Sequence, residues 1–188
     1  MKKQDKKLVM FVGKTHSGKT TLAKKIEAAQ PELLILEADP IALFLKDTFP
    51  ALAKIDDTEH TGAFKNTSLK YKAFLLLVEF ALSSGRTVLL SNSNMWKKGR
   101  QFLFKLAQKF EYKTICVYFD YPEEILFERA KESKRNTQVL RVSKSFEDLI
   151  IKQRTRMEIP NPKDFDLFLH IKSEADLSLV EQKLLKLL

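Results

Sequence analysis

Eight consecutive residues near the N-terminus have the types and spacing needed to hold a polyphosphate. Gly13-Lys14-Thr15-His16-Ser17-Gly18-Lys19-Thr20 matches the pattern G-x-x-x-x-G-K-S/T at every position. Gly13 lets the chain turn out of a strand, and Gly18 lets backbone N–H groups approach phosphate oxygens. Lys19 brings a positive charge to β- and γ-phosphates, and the Thr20 hydroxyl suits a magnesium ion. With Lys14, Thr15, Ser17 and Thr21 beside them, these residues form the expected nucleotide-binding set. His16 belongs to it by position but occupies a variable place in the loop, so it reads as a surface side chain. The flanks are those the chemistry requires. Apolar Leu8–Val12 precedes the loop, and Thr21-Leu22-Ala23-Lys24-Lys25-Ile26 follows in helical pattern. A helix starting near Gly18 adds the partial positive charge of its N-terminus. ATP with Mg²⁺ is the expected ligand pair.

A phosphate cradle does not by itself select a reaction. The guanine reader N-K-x-D of GTPase switches is missing, and so are the protein-kinase strings H-R-D and D-F-G. A motor ATPase carries an acid at the end of the strand beside the cradle, whereas the third apolar run ends Val88-Leu89-Leu90-Ser91-Asn92. Asp120 does close the fourth run, but Tyr121-Pro122-Glu123 follows, so Asp120 reads as a turn or helix-start residue. A small phosphotransferase remains, and that class needs a base near the acceptor hydroxyl. Asp39 stands just past the second run in Leu36-Glu37-Ala38-Asp39-Pro40, on the sheet edge where ligands of open α/β proteins bind. Glu37 is the neighbouring alternative, and a helix-capping role before Pro40 is the structural one.

The elements that must position these groups are legible as five short apolar runs: Leu8–Val12, Leu33–Leu36, Val88–Leu90, Ile115–Phe119 and Leu167–Ile171. Their nearly continuous hydrophobicity is the mark of strands covered on both faces. Helical patterns separate them over Ser17–Ala29, Leu69–Leu82, Arg100–Phe110, Glu123–Ser133 and Ala175–Leu188. Such alternation predicts a parallel sheet with helices on both faces. The stretch from Pro50 to Ser68 is the least regular and is expected to face the acceptor.

A formal net charge of +9 is unevenly spread over the 188 residues. Residues 1–30 hold eight Lys/Arg against two acids, and residues 129–163 hold ten against four. A phosphate-handling enzyme would concentrate cations in this way, as would a nucleic-acid binder. Lys2, Lys3, Lys6 and Lys7 read as a solvated, fraying arm. They precede only five apolar residues, fewer than the roughly 7–15 of a secretory signal core or the roughly 20 of a membrane span. A cytoplasmic protein without membrane contact is expected. The lone Cys116 sits in an apolar run and reads as a buried thiol. Trp96, followed by Lys97 and Lys98, is a stacking candidate, although packing under a loop is its ordinary role.

Taken in order, these motifs resemble the small P-loop kinases related to the 5′-kinase domain of polynucleotide kinase and to zeta-toxin-type kinases. The similarity runs over nearly the whole chain. It covers the cradle, Glu37-Ala38-Asp39, Ser91-Asn92-Ser93-Asn94, and Pro122-Glu123-Glu124 with Arg129. It continues through Lys134-Arg135-Asn136 and Met157-Glu158-Ile159-Pro160-Asn161-Pro162 into Phe165-Asp166. The resemblance implies Asp39 as general base, Lys19 and Thr20 as phosphate and metal residues, and Arg129 and Arg135 as lid arginines stabilising the transferring group. Without it, both arginines read as solvated positions on a basic helix. Two positions depart from the family pattern. Ala42 stands where polynucleotide 5′-kinases tend to carry an arginine for the acceptor's phosphate, and Asn92 where an acid is often found; Asn94 is retained.

The expectation is one domain over residues 1–188, a three-layer α/β P-loop fold with a five-stranded parallel sheet, helices on both faces and a small helical lid near residues 129–160. Its expected activity is ATP-dependent transfer of the γ-phosphoryl group to the hydroxyl of a small molecule. A nucleic-acid 5′-end kinase, and a nucleotide-binding regulator or ATPase without transferase activity, are the alternatives.

Overall fold

Residues 6–51, 69–134 and 143–188 are described by a computed structural model. Each apolar run becomes a strand: β1 (Lys7–Gly13), β2 (Leu34–Leu36), β3 (Val88–Leu90), β4 (Lys113–Phe119) and β5 (Leu167–Ile171). They pair in parallel in the order β2-β3-β1-β4-β5, which puts the cradle strand in the middle. Helices with described bounds are α1 (Lys19–Ala29), α2 (Ala38–Thr48), α3 (Leu69–Ser83), α4 (Lys97–Lys109), α5 (Glu123–Lys131), α6 (Phe146–Arg156) and α7 (Glu174–Leu187).

Strand alternation divides the interior between two helical layers. Val9 and Phe11 of β1 pack with Leu22 and Ile26 of α1, Leu126 of α5, Ile150 of α6 and Leu184 of α7. Leu8, Met10 and Val12 point the other way, onto Phe74 and Val78 of α3 and Leu103 and Leu106 of α4. Both faces of the sheet are thus covered, as the continuous apolar runs require. Cys116 is fully buried in the second layer. Phe44, Phe49, Phe80 and Phe102 are exposed.

Two helices lie where apolar periodicity predicts none. In α2 the proline sits in the first turn, where its missing N–H has no intrahelical partner to lose. The helix starts at Ala38 with Glu37 at the cap position, so Asp39 lies inside the first turn and does not cap it, contrary to the structural reading above. α6 buries only Phe146, Ile150 and Gln153 and is fixed at its start by Ser145, whose side chain accepts from the Asp148 N–H. The basic arm is also better anchored than expected. Lys6 donates to the Phe110 carbonyl at 2.7 Å and lies over the Tyr112 ring, and Lys7 opens β1.

Residues 52–68, which make up most of the irregular stretch expected to face the acceptor, lie outside the described residues. Arg135, within 135–142, and Lys2 and Lys3 lie outside them as well. No described helix is long and apolar enough to cross a membrane.

Candidate functional site

Gly13 ends β1 against its neighbour β4 so closely that an added Cβ would lie 2.8 Å from both the Cβ and the carbonyl oxygen of Phe119. Backbone cannot yield to such a contact, so the position requires glycine. Its N–H donates to the Ser93 carbonyl at 3.0 Å, tying the cradle to the segment after β3. His16 and Gly18 then take left-handed conformations, with φ of 60° and 91°. Gly18 occupies the α1 cap position without a side-chain cap, so the first-turn amides of that helix point at the mouth of the loop and suit an anion.

Lys19 is buried, and its ammonium donates to the Lys14 carbonyl at 2.5 Å and to Ser17 Oγ at 3.0 Å. Thr20 is half-buried one residue further along α1, and Thr21 is exposed. The Thr15 N–H donates to Gln153 Oε1 of α6 at 2.7 Å in a buried contact. His16 is not the surface side chain its loop position suggests. Its ring meets Phe146 of α6 edge-on at 4.7 Å, and Nδ1 lies 3.1 Å from Thr15 Oγ1.

α6 grips the loop a second time through charge. Lys14 Nζ pairs with Glu123 Oε1, and Arg154 donates from Nε to Glu123 Oε2 at 2.8 Å. Arg154 first, and Lys14 after it, hold the Glu123 carboxyl below the usual glutamate range. A depressed carboxyl stabilises the fold above the pKa of a free glutamate, and that contribution disappears as acidification passes the lowered value. Arg129 of α5 is drawn onto the cradle rather than left solvated. Its Nη1 donates to the His16 carbonyl at 3.2 Å, Nη2 pairs with Glu174, and the guanidinium lies 4.5 Å from the centre of the Tyr121 ring.

Asp39 stands two strands away, at the start of α2. Lys70 of α3 reaches its Oδ1 at 3.2 Å. The adjacent Tyr71 exposes its ring but turns its hydroxyl inward. Burial, then the Asp39 charge, raises that hydroxyl's pKa, and a bond to Ser93 opposes the rise. Ala42, where the resemblance anticipates an arginine, faces the interior, and Lys70 is a cation beside Asp39. Asn92 Oδ1 accepts from the Ala38 N–H at 2.8 Å and fixes the turn that presents Asp39. Asn94 donates to the Phe11 carbonyl at 2.8 Å, and buried Arg100 donates to the carbonyls of Asn94 and Met95. Trp96 does not pack under this loop; it opens α4 and is 55% exposed. Asp120 is neither a turn residue nor the cap of α5, which is Pro122; its N–H donates to the Ile171 carbonyl at 2.7 Å and prolongs the β4–β5 ladder, while its carboxylate accepts from the Tyr118 hydroxyl and lies 2.9 Å from His170 Nε2.

A family model described as AAA domain matches residues 8–155, from the first residues of β1 to the end of α6. The chain belongs to the AAA domain family. Sequence comparison with functionally characterised proteins yields no significant match. Solved structures share the fold. Kti12 of Chaetomium thermophilum in complex with ADP-AlF3 is 21% identical with a TM-score of 0.61, covering 95% of this chain and 97% of that one. The APS kinase CysC of Mycobacterium tuberculosis, in complex with AMPPNP and APS, is 18% identical with a TM-score of 0.58 and 97% of each chain covered. A fungal RNA kinase is 17% identical with a TM-score of 0.63, covering 97% of this chain and 87% of that one. The AAA domain described here therefore has the α/β fold of P-loop kinases, and the likeness to small P-loop kinases drawn from its motifs holds at that level.

Neither Gln153 nor Lys70 of this AAA domain belongs to a local motif. Each meets its partner across long sequence separations, Gln153 over 138 residues and Lys70 over 31. Gln153→Leu keeps the volume but leaves the Thr15 N–H buried without an acceptor, a loss of about 1–3 kcal/mol. If the loop must be re-ordered on binding, the ATP Kd by calorimetry should rise about tenfold, with kcat little changed. A lowered melting temperature with unchanged Kd would mean that this bond serves folding alone.

Proposed function

We propose that this AAA domain is an ATP-dependent phosphotransferase that moves a γ-phosphoryl group onto the hydroxyl of a small acceptor, acting in the cytoplasm as one domain with residues 129–160 as its lid. The observation that carries the reading is the pairing of a glycine-shaped anion nest holding Lys19 with a carboxylate, Asp39, on the same edge of the sheet. In the reaction, Asp39 takes the proton of the acceptor hydroxyl while that oxygen bonds to the γ-phosphorus. The bond from phosphorus to the bridging oxygen breaks, and its electrons leave on ADP. Lys19 exchanges the Lys14 carbonyl and Ser17 hydroxyl for phosphate oxygens. Arg129, with Arg135 as the second lid arginine, meets the charge that spreads over the transferring group. Arg129 can leave Glu174 at little cost, since that glutamate is 68% exposed and such pairs are weak.

Asp39 must also leave Lys70 before it can accept a proton. An acceptor that seats between them releases the carboxylate and finds an ammonium beside its hydroxyl. Bound Mg²⁺ would neutralise β- and γ-phosphate charge, and Thr20 would hold it. The Thr20 hydroxyl and the buried Ser91 hydroxyl, which has no hydrogen-bond partner among the described residues, are hard oxygen donors. They fit a cation that keeps most of its waters.

Incubating the protein with γ-labelled ATP and panels of nucleosides, sugar derivatives and hydroxyl-bearing antibiotics tests the proposal, with Lys19→Ala as the blank. Labelled product with the native chain alone supports it. ATP binding with no product in any panel favours the regulator reading.

A second acceptor class is favoured by one observation, the exposed Trp96 ring beside Lys97 and Lys98, a platform on which a base could stack. If an oligonucleotide end is the acceptor, log Kd should rise with log salt with a slope of about 2–3, as for three or four phosphate contacts on a single strand. Failure to bind an oligonucleotide at low salt removes this reading.

A further inference from the structure

Ser91 follows β3, the strand beside the cradle, and its N–H still donates to the Leu36 carbonyl at 3.0 Å, so the ladder geometry extends one residue past the strand. Side chains alternate along that strand. Leu89 packs in the layer of α1, and Leu90 in the layer of α3 and α4. Asn92 continues on the side of Leu90, since it bonds the backbone of Ala38, itself a member of that layer. Ser91 therefore faces α1, the helix whose first turn carries Lys19 and Thr20. It is 6% exposed, and its Oγ has no hydrogen-bond partner among the described residues.

In P-loop nucleotidases a carboxylate at a strand end helps the loop hydroxyl to hold the metal. Here Ser91 holds that place instead of Asn92, the position the sequence suggested, because Asn92 turns to the Ala38 backbone; the groups on the α1 side are the hydroxyls of Thr20 and Ser91. Of the two carboxylates that follow β2, the strand beside β3, Asp39 is paired with Lys70, and Glu37 lines a cleft of about 340 Å³ with Ala23, Lys24 and Glu27 of α1. Ser91 itself thus adds no negative charge beside the helix-terminal amides of the cradle. Free ATP, more negative than its magnesium complex, meets no repulsion there.

We infer that the Ser91 position uncouples nucleotide affinity from magnesium: this chain takes up free and magnesium-bound nucleotide with nearly equal affinity. The inference rests on the proposed nucleotide site. It does not depend on which acceptor is used.

Calorimetry of the full chain with a non-hydrolysable ATP analogue, in excess Mg²⁺ and in EDTA, tests it. For the native protein the two Kd values should lie within about threefold. Ser91→Asp puts a like charge beside the phosphates. It should weaken binding in EDTA by about tenfold or more and leave binding in Mg²⁺ much less affected, so the ratio opens. A native ratio of tenfold or more overturns the inference without any variant. If that ratio then collapses in Glu37→Gln, the metal-holding acid belongs to β2. A Ser91→Asp protein that melts like the native one and shows no wider ratio also overturns it. Absence of uptake in both buffers refutes the nucleotide site itself, a different result from strong metal dependence.

Discussion

Asp39→Asn should lower phosphoryl transfer by at least about a hundredfold while ATP affinity stays within about twofold. The amide has nearly the shape of the carboxylate but cannot take a proton. The residue lies two strands from the loop that holds the nucleotide, so binding has little reason to change. Lys70 loses its partner in the variant, and that pair is partly exposed, with Asp39 at 42%, so the fold should lose little. Initial rates with the best acceptor from the panel, together with calorimetry, make the comparison. Transfer at the native rate would remove Asp39 from the chemistry and return attention to Glu37 at the cap of α2.

Lys19→Ala should do more, lowering transfer by about a thousandfold, near the upper end for a single preorganised charge-stabilising donor, and weakening ATP binding as well. The side chain is 8% exposed and its ammonium already lies on oxygens of the loop. The group is therefore oriented before nucleotide arrives, and little ordering remains to be done when phosphate replaces the carbonyl. The two variants separate two roles. Loss at Lys19 should appear in both Kd and rate, and loss at Asp39 in rate alone. A Lys19→Ala protein that transfers within tenfold of native would show that the cradle amides suffice without the ammonium.

All five strands were legible in the chain because each holds a run of apolar residues, broken within a run only by the exposed His170 of β5. Most helices were legible for the complementary reason, an apolar stripe such as Leu103, Leu106 and Ala107 in α4. The cradle was legible because its chemistry is local: Gly13, Gly18 and Lys19 act within a few residues of one another. What stayed hidden is set by approach in space. α2 was legible only as a helix start at Asp39-Pro40, and it begins instead at Ala38. α6 was obscured because few of its residues are apolar, and the one that matters to the loop, Gln153, is a polar residue buried by its partner. The exposure of Trp96 and the inward packing of His16 depend on which helix crosses the loop, and spacing along the chain does not encode that. Lys70 could have drawn notice only as a lysine near the start of an otherwise apolar helix.

The middle position of β1 bears on how the molecule is made. Leu8–Met10 pair with Val88–Leu90, and Lys7–Gly13 with Lys113–Phe119, so β1 waits for partners synthesised long after it. Until β3 emerges, Leu8, Val9, Met10, Phe11 and Val12 have no strand partner, and until β4 follows one edge of the ribbon stays open, the kind of species that clumps or is held by chaperones. Truncated products ending before residue 113 should accordingly be insoluble, and refolding from denaturant should be slow for a chain of this size, as closing such long loops demands.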